Sequence, residues 1–137
     1  RLNNVKLIMS LDKNLPLVFC QVGKINQVVL NLINNALDAL EEKNGTNRKA
    51  SQLIVETKNL GDSIQIIIGD NANGIDEELQ RKIMEPFYTT KDVGKGTGLG
   101  LSISYSIIED HGGAIEIDSE MGEGTKFIVT LPIVLQT

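Results

Sequence analysis

The sequence predicts a single α/β domain built on one long helix and two strand pairs. Over residues 24–42, Ile25, Val28, Val29, Leu32, Ile33, Ala36, Leu37 and Leu40 recur at steps of three and four, the apolar stripe of an amphipathic helix. Residues 53–60 with 63–68, and 114–119 with 125–132, are pairs of short β-branched runs, each joined through glycine, the pattern of antiparallel hairpins. With 137 residues and 41% hydrophobic content, the chain is long enough to bury one core.

In chain order, residues 5–11 (VKLIMSL) alternate as a strand does, and 16–20 form a second apolar run after the turn-like Asp12-Lys13-Asn14. Together they predict a hairpin-like edge. Cys20 stands in that run with Leu17, Val18 and Phe19 and is expected in the core; as the lone cysteine it excludes an internal disulfide and a cysteine-based zinc site. The long helix follows, then a polar linker over 44–52. The first hairpin turns at Gly61-Asp62, and its second strand runs through three isoleucines into Gly69, which predicts burial on both faces. Asp76 followed by Glu77 and Glu78 reads as an N-cap and an acidic first helical turn. A further helix is expected from about Leu99, where Leu99, Ile103, Ile107 and Ile108 fall at helical spacing, and it stops at Asp110-His111-Gly112-Gly113. His111 has no second histidine and no nearby cysteine, so it is expected to cap or hydrogen-bond rather than hold a metal. The last strand pair surrounds a turn at 120–124, and 134–137 are left unassigned.

Charge and composition narrow the function classes. A net charge of −5 and a pI near 4.8 argue against nucleic acid, and 4% aromatic residues leave few platforms for stacked bases. No apolar run approaches the ~20 residues of a membrane span and no charged-then-apolar leader is present, which predicts a soluble domain without direct membrane contact. An acidic domain that binds polyphosphate needs a metal cation or local lysines to offset repulsion.

Three stretches carry chemistry. In 84–103 (MEPFYTTKDVGKGTGLGLSI), Gly94, Gly96, Gly98 and Gly100 alternate with Lys95, Thr97 and Leu99 ahead of the helix start. Exposed N–H groups and the positive end of a helix dipole suit an anion, and a loose surface loop is the alternative. The P-loop spacing fails because Gly94-Lys95 is followed by Gly96, and the dinucleotide pattern fails because Leu101 replaces its third glycine. On the long helix, Gln27, Asn31, Asn34, Asn35 and Asp38 make the polar face. Asn is a poor helix former, and Asn31 and Asn35, one turn apart, can converge amide oxygens on a hard cation such as Mg²⁺. An ordinary wet face is the alternative. Asp70 ends a core strand, where a carboxylate can accept from an exocyclic amine or simply satisfy the turn at 71–74.

Five motifs in order resemble the ATP-binding catalytic domain of sensor histidine kinases, in the wider gyrase- and MutL-like ATPase superfamily. QVVLNLINNALDAL (27–40) looks like the N box, DNANGI (70–75) the first glycine box and EPFYTTK (85–91) the F box; GKGTGLGL (94–101) and GEGTKF (122–127) look like the second and third glycine boxes. The likeness covers nearly the whole chain. It implies an α/β (α+β) two-layer sandwich of the Bergerat fold, a mixed, mostly antiparallel sheet of about five strands covered on one face by three helices.

The resemblance also implies ATP held between the N-box helix and a lid over 84–100. Asn35 is expected as principal Mg²⁺ ligand, with Asn31 lining the same site. Asp70 would accept from the adenine amino group, Gly74 and Ile75 would lie beside the base, and Thr125 would hold the adenine through water. Backbone N–H groups of Gly96, Thr97, Gly98, Leu99, Gly100 and Leu101 would bind phosphate. Phe87 would anchor the lid, while Thr89, Thr90 and Lys91 reach the nucleotide, Lys91 acting with Asn31 and Asn35 in catalysis. Asp38 belongs to the same site but stands where many kinases carry a phosphate-binding Lys, which shifts that role to Lys91 or Lys95. Ala72 replaces a usual glycine, with an expected loss of turn freedom. Residues 92–97 are expected to be poorly ordered or displaced in a nucleotide-free crystal.

The activity so implied is transfer of the γ-phosphoryl group to a histidine on a separate dimerisation and phospho-acceptor domain, with a response-regulator receiver domain downstream. The full-length protein would be a homodimer and this chain a monomeric fragment of it. In hydrolysing relatives a Glu stands where this chain has Asn31, and an amide cannot act as a general base, so direct hydrolysis is expected to be feeble. A non-catalytic nucleotide-sensing or docking module, or a gyrase- or MutL-like ATPase, are the alternatives.

Overall fold

Residues 4–43, 50–83 and 99–133 are described by the computed structural model of the chain. The strands are β1 (Val5–Ser10), β2 (Ser51–Asn59), β3 (Ser63–Asp70), β4 (Ala114–Glu120) and β5 (Gly124–Pro132); the helices are α1 (Val22–Glu41), α2 (Glu77–Lys82) and α3 (Leu99–Asp110). The strands form one mixed sheet in the order β1-β2-β3-β5-β4, antiparallel throughout except for the parallel pair of β1 with β2. Apart from the strand expected over 16–20, the described elements follow the expected ones to within a few residues, and the α/β sandwich is as the motifs implied.

The apolar stripe of α1 makes the core. Val28, Leu32, Ala36, Leu37 and Leu40 are buried against one face of the sheet, where Leu53, Ile64, Ile68, Phe127, Val129 and Leu131 come from the three central strands. Ile107 and Ile108 of α3 close the same cluster. β3 lies between β2 and β5, and its Ile67 and Ile68, pointing to opposite faces, are 5% and 1% exposed, so the run of isoleucines is buried on both sides as expected. α2 is a six-residue surface helix capped by Asp76, whose Oδ1 accepts from Leu79 N at 2.7 Å. Among the described residues no helix is long and apolar enough to cross a membrane.

Two expectations fail at the N-terminal edge. Residues 16–20 form no strand, and β1 pairs not with them but in parallel with β2, Val5 opposite Ser51. A parallel pair requires a crossover, here through α1, and the Asp12-Lys13-Asn14 turn starts it by folding onto β2. Asp12 N donates to Thr57 Oγ1 (2.9 Å), and Asp12 receives Asn14 N and Asn59 N. Those N–H bonds, from Asn14 and then Asn59, hold the Asp12 carboxyl below the usual range. The apolar run that follows is therefore a surface connection. Leu17 and Phe19 are 97% and 77% exposed, and Cys20 is half-buried rather than core.

His111 secures the far end of this connection. Its Nδ1 lies 2.7 Å from Ile107 O, a contact only an N–H can make, and its Nε2 accepts from Gln21 N at 3.0 Å. It thus links the end of α3 to the start of α1 and hydrogen-bonds on both nitrogens.

Candidate functional site

Strand register lines up a polar row at one end of the sheet, on the face that packs against the helices. Leu53, Asp70, Thr125 and Ser119 are consecutive cross-strand partners on β2, β3, β5 and β4. The next row inward, Val55, Ile68, Phe127 and Ile117, is apolar. Asp70 and Thr125 are therefore a carboxylate and a hydroxyl set at the margin of the core, 6% and 5% exposed. Burial pushes the Asp70 carboxyl up to about 6, against the opposing pull of the backbone N–H groups of Ala72 and Thr125. Its Oδ1 accepts from Ala72 N at 3.0 Å, so Asp70 does satisfy its turn. Such a turn bond does not require burial, and a carboxylate held in a dry position at a cleft edge is suited to a ligand donor.

The turn after Asp70 is held on all sides. Asn71 is a structural clip, its Oδ1 accepting from Gln52 N (2.8 Å) and its Nδ2 donating to Ala50 O (2.7 Å). Ala72 is 1% exposed and part of the core; Asn4 is the one described non-glycine residue with positive φ, so the methyl at 72 brings no left-handed strain. The expected loss of turn freedom at Ala72 thus has no counterpart in its backbone.

Gly74 and Gly124 are required by close backbone packing. Gly74 has φ +80°, and a Cβ there would run into the Glu120 carbonyl; Gly124 has φ +133°, and its Cβ would run into the Asp70 carbonyl. The first and third glycine motifs are consequently one packed unit, also joined by Gly122 N to Asn73 O at 2.7 Å and Ile75 N to Ser119 Oγ at 2.8 Å. Ser119, which no sequence motif singled out, further contacts Gly124 O (3.0 Å) and Thr125 Oγ1 (2.8 Å). Only its register opposite Thr125 could have revealed it.

α1 packs on β2, β3 and α3 and carries the asparagines. Asn31, Asn35 and Asp38 are half-buried on it and Asn34 is exposed. Asn31 Nδ2 donates to Ser104 Oγ at 3.2 Å, a cross-link to α3 that reaches a serine with no exposure. The bond turns the other end of the amide, the hard Oδ1, away from Ser104. Asn73 Nδ2 reaches Glu42 O at 3.5 Å, bringing the end of α1 to the rim that carries Asp70. No group of three or more His, Cys, Asp or Glu among the described residues is arranged to hold a metal. A donor set of one or two amide oxygens fits Mg²⁺, which retains water and shares phosphate oxygens rather than needing a full protein cage.

Leu99, Gly100 and Leu101 form the first turn of α3, a twelve-residue helix whose leading N–H groups and dipole favour an anion, and Leu101 packs on the core. Phe87, Thr89, Thr90, Lys91, Gly96, Thr97 and Gly98, with Lys95 and the segment 92–97, lie outside the described residues, as does most of the expected lid. A recess of about 600 Å³ opens at this same end of the sheet, lined by Asp70, Asn71 and Thr125 together with Gln52, Ile54, Asp118 and Lys126 from the face opposite the helices; neither Asn31 nor Asn35 lines it.

Comparison with known proteins agrees with this architecture. The family described as histidine kinase-, DNA gyrase B-, and HSP90-like ATPase matches residues 21–135. Sporulation kinase E of Bacillus subtilis (strain 168) is 37% identical over 133 residues, covering 96% of this chain and 17% of that protein. The signal transduction histidine-protein kinase AtoS of Escherichia coli (strain K12) is 39% identical over 130 residues, covering 94% of this chain and 20% of that protein. The chain therefore spans a fifth or less of the length of these curated relatives. Among solved structures, a nucleotide-free catalytic domain of the histidine kinase ThkA superimposes with a TM-score of 0.78 at 32% identity, over 95% of this chain and 81% of that one. With the motifs, the fold and these relatives in agreement, the chain belongs to the histidine kinase-, DNA gyrase B- and HSP90-like ATPase family.

Proposed function

We propose that this domain binds ATP with Mg²⁺ between α1 and the start of α3, and that it transfers the γ-phosphoryl group to a histidine on a separate phospho-acceptor domain of a two-component sensor kinase. A single observation carries the reading: Asp70 is an almost fully buried carboxylate facing the helix layer, whose long helix carries the half-buried amides Asn31 and Asn35. A base amine donor satisfies the first and a metal-bound polyphosphate the second.

Each part of the chain then has a defined task. Asp70 accepts from the exocyclic amine and so fixes the base in register with the sheet end. The leading N–H groups of α3 hold phosphate oxygens along the helix axis. Asn35 and Asn31 would hold the cation through their amide oxygens, and the cation would supply charge neutralisation for the transferring group. Lys91 adds a cation from the lid. The side chain at 31 is an amide and takes no proton from water, so hydrolysis lacks a base there, whereas phosphoryl transfer asks chiefly for alignment and charge neutralisation.

Calorimetric titration of the domain with a non-hydrolysable ATP analogue tests this reading. Saturable one-site binding is expected, strengthened by Mg²⁺ in the wild type and losing that dependence in Asn35→Ala. Absence of binding would leave only a docking role, and binding indifferent to Mg²⁺ would remove the asparagines from the mechanism.

A further inference from the structure

Three polar side chains are buried among the described residues: Asp70 and Thr125 at the end of the sheet, and Ser104 on α3, which has no exposure at all. Ser104 stands one helical turn before Ile108, itself fully enclosed in the core cluster. A hydroxyl shut away from water costs free energy unless it has a partner, and an alanine in its place avoids that cost. A serine inside a helix commonly bonds back to the carbonyl four residues earlier. Ser104 does not. Its side-chain hydrogen bond is with the other helix, where Asn31 Nδ2 donates to its Oγ at 3.2 Å.

An amide has two unlike ends, and a hydroxyl bonded to one of them decides which way the group faces. With Nδ2 turned to α3, Oδ1 turns away from it, on the helix that carries Asn35 one turn further along. We propose that Ser104 is a positioning residue for cation binding: its hydroxyl holds the Asn31 amide in the orientation that offers Oδ1 to the metal. The inference rests on the nucleotide reading above and adds to it a residue that itself touches neither cation nor nucleotide. A hard divalent cation takes oxygen ligands, and the NH₂ end of an amide in the same place repels it. An asparagine free to turn about its last side-chain bond samples both ends. A carboxylate, with two equivalent oxygens, has no wrong end. Because Ser104 belongs to the helix that begins at Leu99, the bond also ties this amide to the element whose leading N–H groups are proposed for phosphate.

Calorimetric titration with a non-hydrolysable ATP analogue, run with Mg²⁺ and again with EDTA, gives for each protein the factor by which the cation strengthens binding. Ser104→Ala is expected to reduce that factor about fivefold, the worth of one ordinary hydrogen bond. Lost packing or incomplete folding weakens both titrations alike and leaves the factor, read within one protein, unmoved. In an Asn31→Asp background, where either oxygen serves, Ser104→Ala is expected to change the factor by less than about twofold. In the nucleotide-free domain, the side-chain amide protons of Asn31 are expected to exchange with water faster in Ser104→Ala than in wild type. A factor unchanged or raised by Ser104→Ala would overturn the proposal, a rise being the mark of an amide turned the other way. An equal fall in the Asn31→Asp background would overturn it too, by making Ser104 a packing residue, as would amide exchange indifferent to residue 104. Wild-type binding that ignores Mg²⁺ would remove the metal part of the nucleotide reading, and no binding at all would remove the whole of it, each taking this inference with it.

Discussion

Burial raises the Asp70 carboxyl from the ordinary carboxylate range to about 6, and that shift sets stability against function at one residue. A folded-state value above the unfolded one means that the protonated form is favoured by folding. The corresponding stability is present in full below about pH 4 and is lost as pH rises through 6. A shift of this size corresponds to roughly 3 kcal/mol as an upper figure. Asp70→Asn is therefore expected to raise the thermal midpoint relative to wild type at pH 8, with the gap closing toward pH 4, and to weaken ATP-analogue binding at least tenfold. Thermal melts across that pH range check the first part; a gap that does not depend on pH would contradict it. Asn31→Glu is expected to raise steady-state phosphate release only modestly, because a carboxylate supplies a base but also removes the N–H that donates to Ser104 Oγ. The positions of Asp70, Asn31 and Asn35 were legible from sequence, a carboxylate ending an isoleucine run and amides one turn apart on the long helix; their roles remain part of the proposal. Ser119 was not legible, because a serine in a strand is ordinary and its meaning lies in the partner strand.

At the scale of elements, the glycines of the first and third motifs invite a ligand explanation, and the structure adds a packing one. Gly74 and Gly124 let the β3–α2 turn and the β4–β5 turn touch backbone to backbone. Gly124→Ala would place a Cβ against the Asp70 carbonyl at a φ that L residues avoid, and a loss of about 3 kcal/mol is expected in urea unfolding. A loss below about 0.5 kcal/mol would mean that the two turns separate easily. The long helix and both hairpins could be read from periodicity because their pairing is local. The pairing of β1 could not, since its partner Ser51–Asn59 follows only after the whole of α1, and nothing in the alternation of 5–11 distinguishes a hairpin neighbour from a distant parallel one. The exposed Leu17 and Phe19 misled for the same reason: a short apolar run has no period that says where it packs.

For the whole molecule, the proposed function requires an acidic chain to gather positive charge locally, and the leading amides of α3, a cation and Lys91 or Lys95 are the proposed sources. The net charge of −5 makes that local concentration a requirement. With position 31 an amide, the account predicts a domain that holds ATP and waits for an acceptor rather than one that turns ATP over alone. The most direct measurement supplies the domain, with Mg²⁺ and γ-labelled ATP, to a candidate phospho-acceptor histidine domain, and follows label and free phosphate together. The account predicts acid-labile label on the acceptor that depends on Asn35, with little free phosphate when the acceptor is omitted. An unlabelled acceptor alongside steady phosphate release would contradict it.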